Sequence, residues 1–389
     1  MAKLPAAEWT RRDDLAELVK ALGAENLRWV GGAVRDTVLG AEVHDIDAAT
    51  PLVPHDVVNR LDTACIRTIP TGIAHGTVTA LLDSGNVEIT TLRHDVSTDG
   101  RRATVAFSDD WRDDAARRDF TINALYARPD TLEIDDWFGG LDDLAARRVR
   151  FIGDARARIR EDHLRILRYY RFHARFGSAL DPEAEAACTE LASTLRGLSR
   201  ERVGWELQNL LALPDPAPTV ALMVANGVLP VVVPETDADG VQRLADLIEI
   251  ETAQGVAPDA IRRLAALLPP DPRVADQVAA RLRLSNALRK RLAAASDRAD
   301  VKTPPRTLAY QVGQAVATDR LLLTGREIQD ISDWELPVFP LKGGQIVARG
   351  VTAGPQVARI LQAVEARWVA EGFPDDTRVQ QLLDEELAG

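Results

Sequence analysis

Residues 29–50 read WVGGAVRDTVLGAEVHDIDAAT. A strand-like start, Trp29-Val30, runs into Gly31-Gly32. A helical stretch follows, and Asp45 and Asp47 then stand two apart. In a strand that spacing places both carboxylates on one face. Two carboxylates side by side repel unless a cation lies between them, and hard oxygen ligands with open positions suit Mg²⁺. The glycine pair lets backbone N–H groups approach a phosphate at the helix N-terminus. Arg35 can add a charge-assisted contact to the same triphosphate. A Gly-Gly alone is a turn, and an Asp-x-Asp alone is a solvated loop. The order strand, Gly-Gly, helix, Asp-x-Asp is what points to nucleotide chemistry.

Working outward, short β-type runs punctuated by Gly, Asp and Asn fill residues 26–135. LRWV (27–30), GTVTALL (76–82), NVEITTLR (86–93) and TLEIDDW (131–137) are the expected strands. Helical pieces such as HDVVNRLDTA and FTINALYA alternate with them, so the region is mixed α/β. Upstream, RRDDLAELVKALG (11–23) predicts an amphipathic helix with Leu15, Leu18, Val19 and Leu22 on one face and Gly23 as its stop. Glu88 points away from the face formed by Val87 and Ile89. Two-metal phosphoryl transfer wants three carboxylates around ions about 3.5–4 Å apart, which makes Glu88 the candidate third acid. In ARRDFTINALYA (116–127), Arg117, Arg118 and Asp119 are expected to open a helix packed through Ile122, Leu125 and Tyr126. An arginine at a helix start opposes the dipole, so a nucleotide phosphate beside it would account for Arg118. Asp119, and Asn123 one turn further on, join it as nucleotide-binding candidates.

After Phe151 the strand signal nearly vanishes and helical periodicity dominates, interrupted at LPDPAPT (213–219) and LPPDP (268–272). The expected organisation is an α/β head over 1–150, a helical segment over 151–212 and a further helical part over 213–389. In REDHLRILRYYRFHARF (160–176), Asp162 and Arg165 are read as one helical turn apart. Arg168 and Arg171 continue at i+3 steps, while Ile166, Leu167, Tyr170 and Phe172 supply apolar packing. A carboxylate beside a guanidinium has a distinct meaning next to a nucleobase. Cytosine and adenine each present an amine donor beside a ring-nitrogen acceptor; uracil and guanine present the reverse. An Asp accepting from the amine and an Arg donating to the ring nitrogen favour C and A. An ordinary surface ion pair, worth about 0–1 kcal/mol, is the plainer alternative.

The 389 residues carry a net charge of −12, which by itself argues against a nucleic-acid partner. The charge is segregated, however. From Arg147 to Arg175 ten arginines face three acids, a local +7, so the remainder carries −19. That basic stretch is where nucleotide and RNA phosphates are expected to lie, with RNA binding weak, salt-sensitive and confined to one face. Two cysteines, Cys65 and Cys188, can neither staple a chain this long nor fill a four-ligand zinc site. No uninterrupted run of about 18 apolar residues exists to span a membrane. The first residues, MAKLPAAEWTRRDD, lack the apolar core of a signal peptide, so the expected compartment is the cytoplasm.

Taken in order, GGAVRD (31–36), DID (45–47), PTGIAHGTVTALL (70–82), RRDFTINAL (117–125) and EDHLRILRYYRF (161–172) resemble the class II tRNA nucleotidyltransferases, the CCA-adding enzymes of the tRNA nucleotidyltransferase/poly(A) polymerase family. The resemblance continues through DWFGGLDDL (136–144) and, loosely, into LKGGQIVARGVTAGPQVARIL (341–361). It implies an α+β fold, a polymerase-β-like nucleotidyltransferase head followed by an all-helical neck, body and tail. By the same resemblance Asp45 and Asp47 match metal ligands and Glu88 the third acidic position. Gly32, Arg35 and Arg118 match triphosphate contacts, with Gly31 beside them. Asp162 and Arg165 match the base-selecting pair, and Arg168 and Arg171 match further nucleotide-contacting arginines. Trp137 departs from the family pattern, which has Pro before Phe-Gly-Gly. Residues 93–115 stand where the family has a flexible loop linked to switching from C to A addition.

The activity so implied is template-independent, metal-dependent addition of CCA to the 3′ end of tRNA from CTP and ATP, with Mg²⁺ as cofactor and pyrophosphate released. Neither a membrane nor an obligate protein partner is expected. A poly(A) polymerase shares the same head and neck, and enzymes adding only CC or only A share the motifs. The pairs His44-Asp45, His55-Asp56 and His94-Asp95 raise an HD-type phosphohydrolase, and the arginine-rich helices a non-catalytic RNA-binding protein.

Overall fold

The computed structural model describes residues 2–73, 76–99, 102–176, 180–299 and 302–388. By internal contacts the chain divides into two units, Met1–Val232 and Val233–Gly389.

The first unit opens with α1 (Asp13–Leu22), which buries Leu15, Leu18 and Leu22 and stops at Gly23. The quoted stretch then becomes β1 (Arg28–Val30), α2 (Gly32–Val38) and β2 (Ile46–Thr50). Gly31 caps α2 at φ 68°, a left-handed value that an L side chain resists. There follow α3 (Pro54–Thr63), β3 (Arg67–Gly72), β4 (Thr77–Leu82), β5 (Gly85–Thr91), β6 (Arg93–Asp99), β7 (Arg102–Phe107) and α4 (Trp111–Ala116). Last in the head come β8 (Leu125–Ala127), β9 (Ile134–Asp136) and α5 (Gly140–Ala145). Among the described residues the strands form one seven-stranded sheet, ordered β3-β4-β5-β2-β1-β8-β9, and a separate β6-β7 hairpin.

The register of this sheet decides where the chemistry sits. β1 and β2 run antiparallel with Val30 opposite Asp47, and β2 and β5 run parallel with Asp47 opposite Glu88. Neighbouring strands lie about 4.8 Å apart. The end of β1, next to Gly31-Gly32, therefore aligns with Asp47 and Glu88 on successive strands. Beneath them Val30, Ala49, Leu92, Ala115, Ala124, Tyr126 and Ile152 form one apolar cluster.

One expectation is corrected here. Residues 116–127 are not a helix. Thr121–Asn123 make a 3₁₀ turn and Leu125–Ala127 form β8, paired with both β1 and β9. The Phe, Thr, Ile and Tyr of this run suit a buried strand, and the polar Asp119 and Asn123 break the helix by bonding elsewhere. Where the family has a flexible loop, β6 and β7 pair antiparallel and α4 follows them. Trp137 keeps the local turn in place. It packs on Tyr126, while the Asp136 carboxylate accepts from the N–H groups of Phe138, Gly140 and Leu141. Gly140 is required there, because a Cβ would overlap the Thr121 carbonyl.

Helices α6 (Ala155–Glu161), α7 (Arg165–Phe176), α8 (Pro182–Leu191), α9 (Arg200–Leu211), α10 (Ala217–Ala225) and α11 (Leu229–Val232) complete the first unit. Asp162 corrects a second expectation. It lies in the extended link between α6 and α7, not one turn before Arg165 on a shared helix.

The second unit is helical throughout its described residues: α12 (Ala238–Ala253), α13 (Ala260–Leu267), α14 (Pro272–Arg281), α15 (Asn286–Ser296), α16 (Pro305–Val312) and α17 (Gln314–Leu323). It ends with α18 (Gln329–Ser332), α19 (Gly343–Ala348), α20 (Pro355–Ala370) and α21 (Asp376–Ala388). The loosely matched stretch 341–361 supplies Leu341, Ile346 and Ile360 to a core built around Trp368.

Candidate active site

A cleft of about 390 Å³ opens at the end of β1. It is lined by Gly31, Gly32 and Arg35 from the glycine turn and α2, and by Asp47 from β2. Arg117, Arg118, Asp119 and Asn123 form its next side, and Asp162, Arg165, Arg168 and Phe172 close it. Ten of the residues singled out in the sequence thus meet in one place. Asp45 and Glu88 stand outside this lining, exposed and flanking Asp47. Arg171 also stands outside it.

Asp47 is the electrostatic centre. Burial raises its carboxyl above the ordinary range, and the charges of Glu88 and Asp45 raise it further, while Arg118 pulls it down. A divalent cation would relieve the same repulsion, and the donor set is all hard oxygen, so Asp45, Asp47 and Glu88 fit a metal of the Mg²⁺ class. Among the described residues no three His, Cys, Asp or Glu side chains are already gathered as a preformed cage.

Arg118 is fixed from behind. Its Nε donates to the Tyr126 hydroxyl at 2.8 Å, its Nη2 lies 3.5 Å from Asp114, and its guanidinium sits over the Tyr126 ring. Burial opposes its charge, but Tyr126, Asp114 and Asp47 hold it firmly protonated. A Cβ on Gly31 would lie in ordinary contact with its Nη1, so glycine is needed there for its φ. Arg35 is 4% exposed. It makes a bidentate pair with Asp36, donates to Asn123 Oδ1 at 2.6 Å and stacks on Phe172 and Phe176.

Asp119 and Asn123 are spoken for. Asp119 accepts from Arg168 Nε at 2.7 Å, from Asn123 Nδ2 at 3.0 Å and from the Phe120 N–H at 2.9 Å. Burial would raise its carboxyl; Arg168 and these hydrogen bonds hold it below the usual range. One chain of contacts therefore runs Arg175–Asp36–Arg35–Asn123–Asp119–Arg168–Glu206–Arg171. Asp162 caps Leu164 and pairs with Arg202 at 2.6 Å, while Arg165 donates to Glu161 and to the carbonyls of Arg158 and Arg117. The two do not pair with each other in this arrangement.

The basic stretch is less bare than its +7 implied. At least eight of its ten arginines have acid partners: Arg148 and Arg150 share Asp143, Arg156 meets Glu190, Arg158 and Arg165 meet Glu161, and Arg168, Arg171 and Arg175 belong to the chain above. The sequence reading missed those partners. Asp36 directly follows Arg35, and Glu206 interrupts the apolar face of Val203, Leu207 and Leu210. An acid on a buried helix face is the signal that could have found Glu206.

Comparison with known proteins fits this geometry. Residues 27–150 match the family model described as "Poly A polymerase head domain", and residues 177–239 match "Probable RNA and SrmB- binding site of polymerase A". The human protein named "CCA tRNA nucleotidyltransferase 1, mitochondrial" is 35% identical over 390 residues, spanning 93% of this chain and 87% of its own length. The chain belongs to the CCA-adding tRNA nucleotidyltransferase family. A CCA-adding enzyme of Levilactobacillus brevis is 43% identical over 185 residues, 47% of this chain and 45% of that protein. Among solved structures, the Bacillus stearothermophilus CCA-adding enzyme in complex with CTP superposes with a TM-score of 0.75 at 25% identity, covering 96% of this chain and 97% of that one. The Thermotoga maritima CCA-adding enzyme complexed with tRNA superposes at 0.70 with 20% identity, over 100% and 99% of the two chains, a likeness of fold. The α+β architecture with a polymerase-type head is that of the family. Among the described residues no helix is long and apolar enough to cross a membrane.

Proposed function

We infer that the chain adds C, C and A to the 3′ end of tRNA from CTP and ATP, releasing pyrophosphate. The observation that carries this reading is the convergence of the Gly31-Gly32 turn, Asp47 and the Asp162/Arg165 pair on one cleft. The terminal 3′-hydroxyl attacks the α-phosphorus of the nucleotide; the P–O bond to the β-phosphate breaks and pyrophosphate leaves. Gly31 and Gly32 present backbone N–H groups, and Arg118 a pre-fixed positive charge, to the triphosphate. Arg35, buried and held by Asp36 and Asn123, keeps that wall of the cleft positive. Asp45 and Asp47, with Glu88 beside them, would hold Mg²⁺, which when bound supplies Lewis-acid activation of the hydroxyl and neutralises developing charge. Asp119 and Asn123 contribute to nucleotide binding by holding Arg168 and Arg35 in place.

Base selection falls to Asp162 and Arg165. Each keeps capacity beyond its internal bonds: a carboxylate oxygen accepts twice, and a guanidinium has five N–H donors. Asp162 accepts from the exocyclic amine, Arg165 donates to the ring nitrogen, and Arg168 and Arg171 stiffen the same wall. We assign residues 1–150 to catalysis, 151–212 to base recognition and 213–389 to tRNA binding. The compartment we propose is the cytoplasm, whose reducing conditions suit the two unpaired cysteines. Incubating the protein with tRNA lacking its CCA end, both nucleotides and Mg²⁺, and then sequencing the 3′ ends tests the activity. CCA ends are expected; runs of A, or ends stopping at CC or adding only A, overturn it.

A further inference from the structure

Helix α9 carries the two residues that brace the cleft from behind. Arg202 holds Asp162 at 2.6 Å, and Glu206 holds Arg168 and Arg171. Between them in sequence stands Trp205, whose surface is 66% exposed. An indole buries the largest apolar area of any side chain, so leaving it in water is costly unless something covers it. At 100° per residue, Trp205 lies roughly 60° around the helix from Arg202, on the side away from Glu206. The half-buried Asn209 lies about 40° from it and the half-buried Gln208 about 60° on its other flank. Upstream on the helix, the exposed Glu201 lies about 40° from Trp205 and Arg200 about 140° round from it.

An exposed aromatic beside one arginine and two amide side chains, one helical turn from the residue that holds Asp162, is the composition of a single-strand RNA contact. Every base has a π-face to stack, arginines meet phosphates, and amides meet base edges. It is a poor surface for a protein partner, because one indole among polar groups is no apolar patch. We propose that Trp205 is a stacking platform for an unpaired base of the tRNA 3′ end, holding the single-stranded terminus beside the cleft. The proposal rests on the CCA-adding reading and names a contact within it.

The test uses the full chain and tRNA lacking its CCA end. Trp205→Leu keeps apolar bulk but loses the π-face; Trp205→Phe keeps a ring. Trp205→Leu is expected to weaken tRNA binding by about five- to a hundredfold and Trp205→Phe by much less, with affinity for CTP alone unchanged. Substrates with an abasic site at the discriminator position, or at the first or second C of a partly built end, locate the stacked base. At one of these positions the abasic RNA should bind the wild-type chain and Trp205→Leu equally. Equal loss in the Leu and Phe variants, unchanged tRNA affinity in Trp205→Leu, or additive effects at every abasic position overturn the platform. Absence of CCA addition by the wild-type chain would instead overturn the activity it rests on, so the two failures are told apart.

Discussion

Two buried charge networks, one in each unit, are built from the same residues and do different things. In the second unit Arg263 and Arg262 meet Glu251, Arg262 and Arg291 meet Asp319, and Arg291 meets Asp259. Three arginines face three carboxylates, and Asp319 and Glu251 are 0% and 1% exposed. That network is balanced and closed, joining α12, α13, α15 and α17. In the cleft the chain from Arg175 to Arg171 sets four arginines against Asp36, Asp119 and Glu206, and its middle members Arg35, Asn123, Asp119 and Arg168 line the cavity. Arg118 and Arg165 line the same walls. The difference teaches what a binding site adds to a structural clamp: the same guanidinium–carboxylate chemistry, left one acid short and facing outward. An anion such as a triphosphate would complete it.

Breaking the closed network should give the largest stability effect. Asp319→Ala leaves Arg262 and Arg291 facing each other in a dry site and is expected to cost about 3–5 kcal/mol, read from the denaturant midpoint. Turnover per folded molecule should stay within about twofold of wild type. A variant that keeps its stability would show that the two networks do not differ as described.

Arg165→Ala acts on the open network and should do the reverse. Its stability is expected to change by under about 1 kcal/mol, while selection against UTP and GTP relaxes by roughly tenfold in competition assays, about the value of one charged hydrogen bond. Unchanged selectivity would remove Arg165 from base reading.

The smallest effect concerns Asp47. Its carboxyl is raised, so its ionised form is disfavoured in the folded state, and stability is lost as pH rises through the folded value. Asp47→Asn should therefore unfold slightly later than wild type in metal-free buffer at neutral pH, by under about 1 kcal/mol. The gain should vanish below about pH 3, where the wild-type carboxyl is protonated in both states. Mg²⁺ should raise the wild-type midpoint and leave the variant's unchanged. A variant less stable than wild type at pH 7 without metal would contradict the repulsion among Asp45, Asp47 and Glu88.

The sequence carries the cleft's floor more clearly than its walls. Trp29 to Thr50 reads directly because strand, turn, helix and strand are local and each has its own signal. The walls depend on partners far along the chain, 88 residues away for Arg35 and Asn123 and 49 for Arg168 and Asp119. Residues 116–127 read as a helix because Ile122, Leu125 and Tyr126 recur at three- and four-residue steps. The actual strand is fixed by pairing with β1 and β9, which local periodicity cannot show. The basic stretch misled for the same reason: its arginines were visible, and the acids that neutralise most of them lie on other elements.

On the proposed function, the carboxylates beside the glycine turn carry the transfer step while tRNA binding lies elsewhere. Single-turnover incorporation of labelled CTP into tRNA lacking its CCA end, by wild type, Asp45→Ala and Asp47→Ala with Mg²⁺, tests it most directly. Both variants should lose roughly a thousandfold or more in rate while binding tRNA within about threefold of wild type. Incorporation by either variant within tenfold of the wild-type rate would contradict the account.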